Sequence, residues 1–138
     1  MPVLCDFTTI LGVDDDGDEV EVTIGDANTE MERMFNTGGR ESGSPAFLIL
    51  NVRGLTHANE DVPVRINGVV VGSIRRYPGE ETTQDYWFTQ MIPLKGSALH
   101  DGNNTLEIRA VSWTGATNGN LFDDFTLKSV VCFFHQSA

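Results

Sequence analysis

Alternation of polar and apolar residues is the main pattern along this chain. Residues 19–24 read Glu-Val-Glu-Val-Thr-Ile, and residues 62–66 read Val-Pro-Val-Arg-Ile. A period of two places the apolar side chains on one face of a β-strand, whereas an amphipathic helix repeats them every three to four residues. The dipeptide Asn67-Gly68 follows the second run and is a strong hairpin signal. The pattern predicts short antiparallel strands joined by tight turns.

Two segments are apolar at nearly every position. Residues 46–52 read Ala-Phe-Leu-Ile-Leu-Asn-Val, and residues 130–134 read Val-Val-Cys-Phe-Phe. A strand with apolar residues on both faces is typical of the interior of a protein. We therefore expect residues 46–52 to form a central strand that is covered on both sides, and the last strand to be buried at its end.

A helical signal lies near residues 28–36. Asn28 or Thr29 can cap a helix, and Met31, Met34 and Phe35 follow the i, i+3, i+4 spacing of an apolar helix face. About eight strands surround this segment, without the spacing of βαβ units. The predicted fold is all-β: an antiparallel two-sheet β-sandwich of the jelly-roll type, with one short helix near residues 28–36.

Length and charge narrow the classes of partner. The chain has 138 residues, and we expect one domain over residues 1–138. Its formal net charge of −11 repels phosphate backbones and anionic lipid, so we expect neither nucleic acid nor membrane as a partner. The first residues lack the pattern of a secretory signal. Cytoplasmic synthesis is the default expectation, and export or assembly by a non-classical route is the alternative.

An ordered series of turn motifs occupies residues 62–128. Residues 64–72 read Val-Arg-Ile-Asn-Gly-Val-Val-Val-Gly, and residues 99–108 read Leu-His-Asp-Gly-Asn-Asn-Thr-Leu-Glu-Ile. Residues 122–127, Phe-Asp-Asp-Phe-Thr-Leu, look like a closing strand. This series resembles the galactose-binding-like jelly-roll domains of carbohydrate-binding modules and glycoside hydrolases. The resemblance implies a non-catalytic domain with a carbohydrate or glycan as its partner.

Candidate sugar-binding residues lie in two polar segments that we expect to be loops. Trp113 and Asn118 belong to residues 112–120, and Arg76 and Tyr77 follow the predicted hairpin. An aromatic ring can stack on the C–H face of a sugar, while amide and guanidinium groups bond its hydroxyls. The alternative is that Trp113 folds back and closes the end of the sandwich.

A run of acidic residues between the first two predicted strands is a candidate calcium site. Asp14, Asp16 and Asp18 alternate as ligands of a hard cation often do, although no Glu follows at the twelfth position of an EF-hand. The alternative is a solvated acidic turn. The resemblance implies a structural calcium between an early loop and the final strand, which adds Asp123 and Asp124 as ligands.

Motifs of catalysis are not found. The three histidines lie more than 30 residues apart, and no nucleophile, phosphate-binding or paired-carboxylate motif is framed in the sequence. We therefore predict that the chain is not an enzyme. The alternative to sugar binding is a structural role, in which the domain self-associates or decorates a larger particle through Tyr86, Trp87 and Phe134.

The two cysteines lie near opposite ends of the chain. Cys5 belongs to the first predicted strand and Cys132 to the last. We expect two buried thiols without a disulfide. If the terminal strands are neighbours, an oxidising compartment would allow the two residues to pair.

Overall fold

Strands dominate the computed structural model, which describes residues 3–38, 43–56, 58, 60–78, 86–117 and 120–137. Within these ranges the chain forms eleven strands and one short 3-10 turn at Gly96–Ala98. None of the described residues belongs to a helix that is long and apolar enough to cross a membrane. The strands are β1 (Val3–Leu11), β2 (Val22–Ile24), β3 (Glu30–Asn36), β4 (Ala46–Arg53), β5 (Val62–Ile66), β6 (Val69–Ile74), β7 (Trp87–Leu94), β8 (Asn103–Arg109), β9 (Ser112–Thr117), β10 (Asn120–Phe122) and β11 (Phe125–Ser137).

The strands assemble into two antiparallel sheets and a hairpin. The first sheet has the order β1-β11-β4-β7, and β2 also pairs with β11. The second sheet has the order β3-β8-β5-β6. The β9–β10 hairpin lies in the connection between β8 and β11. The predicted antiparallel β-sandwich is confirmed.

The core lies between the inward faces of the two sheets. Alternation builds it, because every second side chain of a strand points to the same side. In β4 the buried positions are two residues apart, and each is at most 2% exposed: Ala46, Leu48, Leu50 and Val52. Strand β5 repeats this pattern from the second sheet with Val62, Val64 and Ile66.

The predicted hairpin at residues 62–74 is confirmed. Strands β5 and β6 pair from Ile66 with Val69 outward. The two turn residues have positive φ values, 53° for Asn67 and 82° for Gly68. These are the values that a two-residue hairpin turn requires, and Asn and Gly adopt them at low cost.

The helix predicted near residues 28–36 is wrong, because this segment is the edge strand β3. All seven of its residues pair with β8, from Glu30 with Arg109 to Asn36 with Asn103. Met31 and Phe35 are buried, but Met34 is 68% exposed. A spacing of four residues fits one face of a helix and also one face of a strand, so the two buried positions satisfy both patterns.

The prediction that residues 46–52 are covered on both faces is also wrong. Strand β4 is central in its sheet, yet Phe47 lies on the outer face with 38% of its surface exposed. The ring of Phe133 is 5.9 Å from the ring of Phe47 and 5.9 Å from that of Phe7. Phe7, Phe133 and Phe47 form a row across three strands, which we call the outer aromatic row. Phe134 points inward and is 2% exposed.

Candidate functional site

The described candidate sugar-binding residues all lie at one end of the sandwich. Register places the end of β4 beside the start of β7, because Arg53 pairs with Trp87. It also places the end of β6 beside the start of β5, because Ile74 pairs with Val62. The β9–β10 hairpin follows β8 at this same end, since Ile108 pairs with Val64. We call this end, which carries the β9–β10 hairpin, the hairpin end. The turn of the β5–β6 hairpin lies at the opposite end of the sandwich.

Three aromatic side chains pack together at the hairpin end. The rings of Tyr77 and Tyr86 are stacked, with centroids 5.8 Å apart and an angle of 16° between their planes. Phe88 meets the ring of Tyr77 edge-on at 5.5 Å. Tyr86 is 49% exposed, and the backbone N–H of Tyr77 donates to the carbonyl of Leu55 at 2.8 Å. Tyr77, Tyr86 and Phe88 are called the aromatic cluster below.

This cluster was only partly predicted. Tyr77 was a candidate from the sequence, but Tyr86 was assigned to a different role and Phe88 was not singled out. The available signal was the run of three aromatic residues at positions 86–88. Alternation along the strand sends Tyr86 and Phe88 to one side, where both rings reach Tyr77, and Trp87 to the other.

Trp87 packs against two basic side chains on the outer face of the first sheet. The guanidinium carbon of Arg53 is 4.8 Å from the centroid of the indole ring, and the Nζ of Lys128 is 4.4 Å from it. Lys128 also forms an ion pair of 3.0 Å with Glu19. Cations at these distances are attracted to an aromatic face. Trp87 is therefore fixed by side chains from neighbouring strands.

Arg76 lies two residues after the end of β6, next to a contact that joins the two sheets. The side-chain amide of Gln90 in β7 accepts a hydrogen bond from the backbone N–H of Arg75 at 2.8 Å and donates one to its carbonyl at 3.0 Å. Arg76 is the next residue and is exposed. The contact fixes the path of the chain toward Tyr77.

The loop predicted at residues 112–120 is wrong for residues 112–117, which form strand β9. Trp113 lies in this strand and is partly buried. A Cβ atom built at Gly115 would collide with the indole ring, so the ring lies over Gly115 on the same side of the strand. Glycine is needed at this position because any larger residue would displace Trp113. Asn118 lies outside the described residues.

The carboxylates of Asp123 and Asp124, between β10 and β11, accept hydrogen bonds from backbone N–H groups. The Oδ2 of Asp123, which is 4% exposed, accepts a hydrogen bond from the backbone N–H of Ala58 at 2.7 Å. The Oδ1 of Asp124 accepts one from the N–H of Asp26 at 2.8 Å. Asp26 in turn accepts hydrogen bonds from the N–H groups of Leu121 and Phe122 at 2.7 and 3.2 Å. These contacts attach the β9–β10 hairpin to the sandwich.

The acidic turn at residues 14–18 is organised by its own first residue. The Oδ1 of Asp14 accepts hydrogen bonds from the backbone N–H groups of Asp16 and Asp18, both at 3.0 Å. Within the described ranges, a group of three acidic residues with ligand atoms less than 4.8 Å apart is formed by Glu30, Glu32 and Glu107, and none of the five candidate aspartates belongs to it. Calcium binding by Asp14, Asp16, Asp18, Asp123 and Asp124 stays a prediction.

Comparison with known proteins gives matches among solved structures. A family 35 carbohydrate-binding module from Clostridium thermocellum has a TM-score of 0.54 and 14% identity, and the alignment covers 94% of this chain and 98% of that one. The CBM36-1 domain of a multidomain xylanase from the hindgut metagenome of Trinervitermes trinervoides has a TM-score of 0.53 and 12% identity, with 98% and 100% covered. No protein-family profile and no curated protein matches the chain.

Larger proteins also contain this arrangement of strands. A β-porphyranase of glycoside hydrolase family 86 from the human gut bacterium Bacteroides plebeius matches with a TM-score of 0.59 and 14% identity over 97% of this chain. The chain spans about a fifth of that enzyme's length, 21%. At these identities the similarity concerns the fold alone. The chain has the galactose-binding-like jelly-roll fold found in carbohydrate-binding modules, as the order of its motifs predicted.

Proposed function

We propose that this chain is a non-catalytic domain that binds carbohydrate at the hairpin end. The observation that carries the proposal is the aromatic cluster, in which the stacked pair of Tyr77 and Tyr86 leaves Tyr86 about half exposed, at 49%. An exposed ring that is already held by a neighbour loses little conformational freedom when a sugar stacks on it. Arg76, Trp113 and Asn118 are the proposed hydrogen-bonding and stacking partners around it.

Binding without catalysis agrees with the coverage of the similar structures. This chain covers two carbohydrate-binding modules nearly end to end, whereas it covers only 19 to 21% of three similar chains of family 86 hydrolases. A domain of this size inside an enzyme can supply affinity while another domain supplies the chemistry.

Glycan binding can be tested by titration after a glycan array. The first defined probes follow the similar structures: neoagarooctaose, which is bound in one family 86 enzyme, and a xylan oligosaccharide, because another neighbour comes from a xylanase. We expect Tyr86→Ala and Trp113→Ala each to weaken binding by about three- to ten-fold, the range of one lost aromatic contact.

Met34→Ala is the matched control, because it removes an exposed side chain from the distant edge strand β3. Its affinity should equal that of the wild type. Absence of any glycan signal on the array, or binding that is unchanged in both aromatic variants, would refute the proposal.

A second candidate function is self-assembly, and the outer aromatic row favours it. Phe7 is 60% exposed, and Phe47 and Phe133 are 38% exposed. Sheets with apolar outer faces pack against each other in many proteins. The outer aromatic row differs from the contact predicted from the sequence, which included Phe134, because Phe134 is buried. Light scattering at rising concentration should show dimers or larger particles that Phe7→Thr with Phe133→Thr abolishes, whereas a monomer throughout would exclude this candidate.

A further inference from the structure

A groove with a basic rim lies at the end of the sandwich opposite the hairpin end. It has a volume of about 470 Å³ and runs between the β5–β6 hairpin and the 3-10 turn Gly96–Ala98. Grooves of this size are large enough for a small organic ligand. No residue of the aromatic cluster lines it. We call it the distal groove.

One wall of the distal groove is apolar. Val69 and Val70 line it and are 65% and 53% exposed, and Pro93 of β7 lies across from them. Val69 pairs with the buried Ile66, whereas Val70 pairs with Arg65, so their side chains lie on opposite faces of β6. Val69 therefore supplies the exposed hydrocarbon surface that a ligand with a hydrocarbon body would cover. The lining residues of the groove include no Phe, Tyr or Trp on whose ring a sugar could stack.

The rim of the distal groove carries a positive charge at Lys95 and, among its lining residues, no negative one. Lys95 and His100 flank the 3-10 turn and both line the groove, and none of its lining residues is acidic. The whole chain, by contrast, has 20 acidic and 9 basic residues. Among the described residues, Lys95 has no carboxylate within ion-pair distance. The rim is complementary to an anion.

The floor of the groove is held in place by two asparagines. The side-chain N–H groups of Asn67 donate to the carbonyl of Ala98 at 3.2 Å and to the Oδ1 of Asn104 at 2.9 Å. Asn104 is 1% exposed, and it also accepts a hydrogen bond from the N–H of His100 at 2.7 Å. This network ties the hairpin tip to the 3-10 turn and to the residue that carries the basic ring. Because these contacts already hold the groove in place, ordering its residues around a ligand costs little free energy.

We propose that the distal groove binds a small organic acid with an aliphatic body. The carboxylate lies between Lys95 and His100, and the hydrocarbon chain lies along Val69 and Pro93. A neutral sugar fits less well, because its hydroxyl groups would be desolvated against the valines without partners. The proposal is independent of carbohydrate binding at the hairpin end.

Titration with hexanoate, followed by amide chemical shifts in two-dimensional NMR, tests the proposal. We expect saturable shifts at residues 69–71 and 95–100. Acetate has the charge without the body and should bind at least about ten-fold more weakly, since each buried methylene group contributes. Hexanol has the body without the charge and should bind about three- to five-fold more weakly. Equal affinity for hexanoate and either analogue, or no saturable shift with hexanoate, would overturn the proposal.

Variants locate the binding within the groove. Lys95→Gln should weaken hexanoate binding about three- to five-fold, and Val69→Asp should abolish it by placing a negative charge in the wall. Arg33→Gln removes a charge from β3 at the far edge of the same sheet, and Val13→Asp adds one at another exposed valine. Both controls should bind as the wild type does. Loss of binding in the controls, or none in the two groove variants, would contradict the site.

Discussion

At the scale of single residues, register decides the chemistry of the two cysteines. Strands β1 and β11 are neighbours. This is the arrangement of the terminal strands under which Cys5 and Cys132 could have formed a disulfide. Cys5, however, pairs with His135, while Cys132 pairs with Thr8. The offset of three residues puts the thiols on opposite faces of the sheet: Cys5 is exposed and Cys132 is buried. In this register both cysteines are free thiols, and the expected burial holds for Cys132 alone.

We therefore expect a thiol reagent such as Ellman's to label one cysteine in the native protein and two after denaturation. Cys5 reacts because its thiol is in contact with water, and Cys132 is protected by the core. Cys5→Ser is the control and should show no rapid labelling in the folded state. Two thiols that react at the same rate in the native protein would contradict this register, and so would none after denaturation.

The candidate site shows which contacts of single residues local sequence can predict. Arg76, Tyr77 and Trp113 were identified because an aromatic residue in a polar segment is conspicuous along the chain. The stacking of Tyr77 on Tyr86 was not, since the two residues come from different sides of a long connection. Likewise, Trp87 meets Arg53 and Lys128 from two other strands. Such contacts depend on how distant strands align, and alternation within one strand does not contain this information.

At the scale of elements, two substitutions in β3 can distinguish the predicted helix from the observed strand. A helix would place Met31, Met34 and Phe35 on one buried face. The strand buries Met31 and Phe35 and exposes Met34. Phe35→Ala should therefore lower the free energy of unfolding by about 3 to 4 kcal/mol, whereas Met34→Ala should change it by less than about 0.5 kcal/mol. Urea denaturation measures both, and similar losses in the two variants would favour the helix.

The element pattern was most predictive where one face meets the core and the other meets water. It located the β5–β6 hairpin and the alternation of β8, because polar residues there mark the outer face. It failed for β4, where the outer positions Phe47 and Ile49 are apolar although Phe47 is 38% exposed. Hydrophobicity reports that a face avoids water, but it does not say whether this chain or a partner covers it. The outer aromatic row is a face of this kind, because its three rings are apolar and remain partly exposed in the single chain.

At the scale of the whole molecule, charge works against the compact state. The chain has 20 acidic and 9 basic residues, so carboxylates outnumber the basic side chains that could pair with them. Two of the ion pairs among the described residues use the same Arg109, with Glu107 at 2.8 Å and Glu30 at 3.9 Å. Exposed pairs of this kind contribute about 0 to 1 kcal/mol. Repulsion among the remaining carboxylates is spread over the surface and falls when the chain unfolds and expands.

Sodium chloride should therefore raise the melting temperature. The Debye length falls from about 30 Å at 0.01 M salt to about 3 Å at 1 M, which screens repulsion across the molecule more strongly than it weakens pairs in contact. If screening restores about 1 kcal/mol, the melting temperature should rise by about 3 to 6 °C in calorimetry. Asp15→Asn with Asp16→Asn removes two charges from the acidic turn and should reduce this dependence on salt. Chloride is preferred to sulfate, because sulfate strengthens hydrophobic burial in any protein. A melting temperature that falls with sodium chloride would mean that ion pairs outweigh the excess of negative charge.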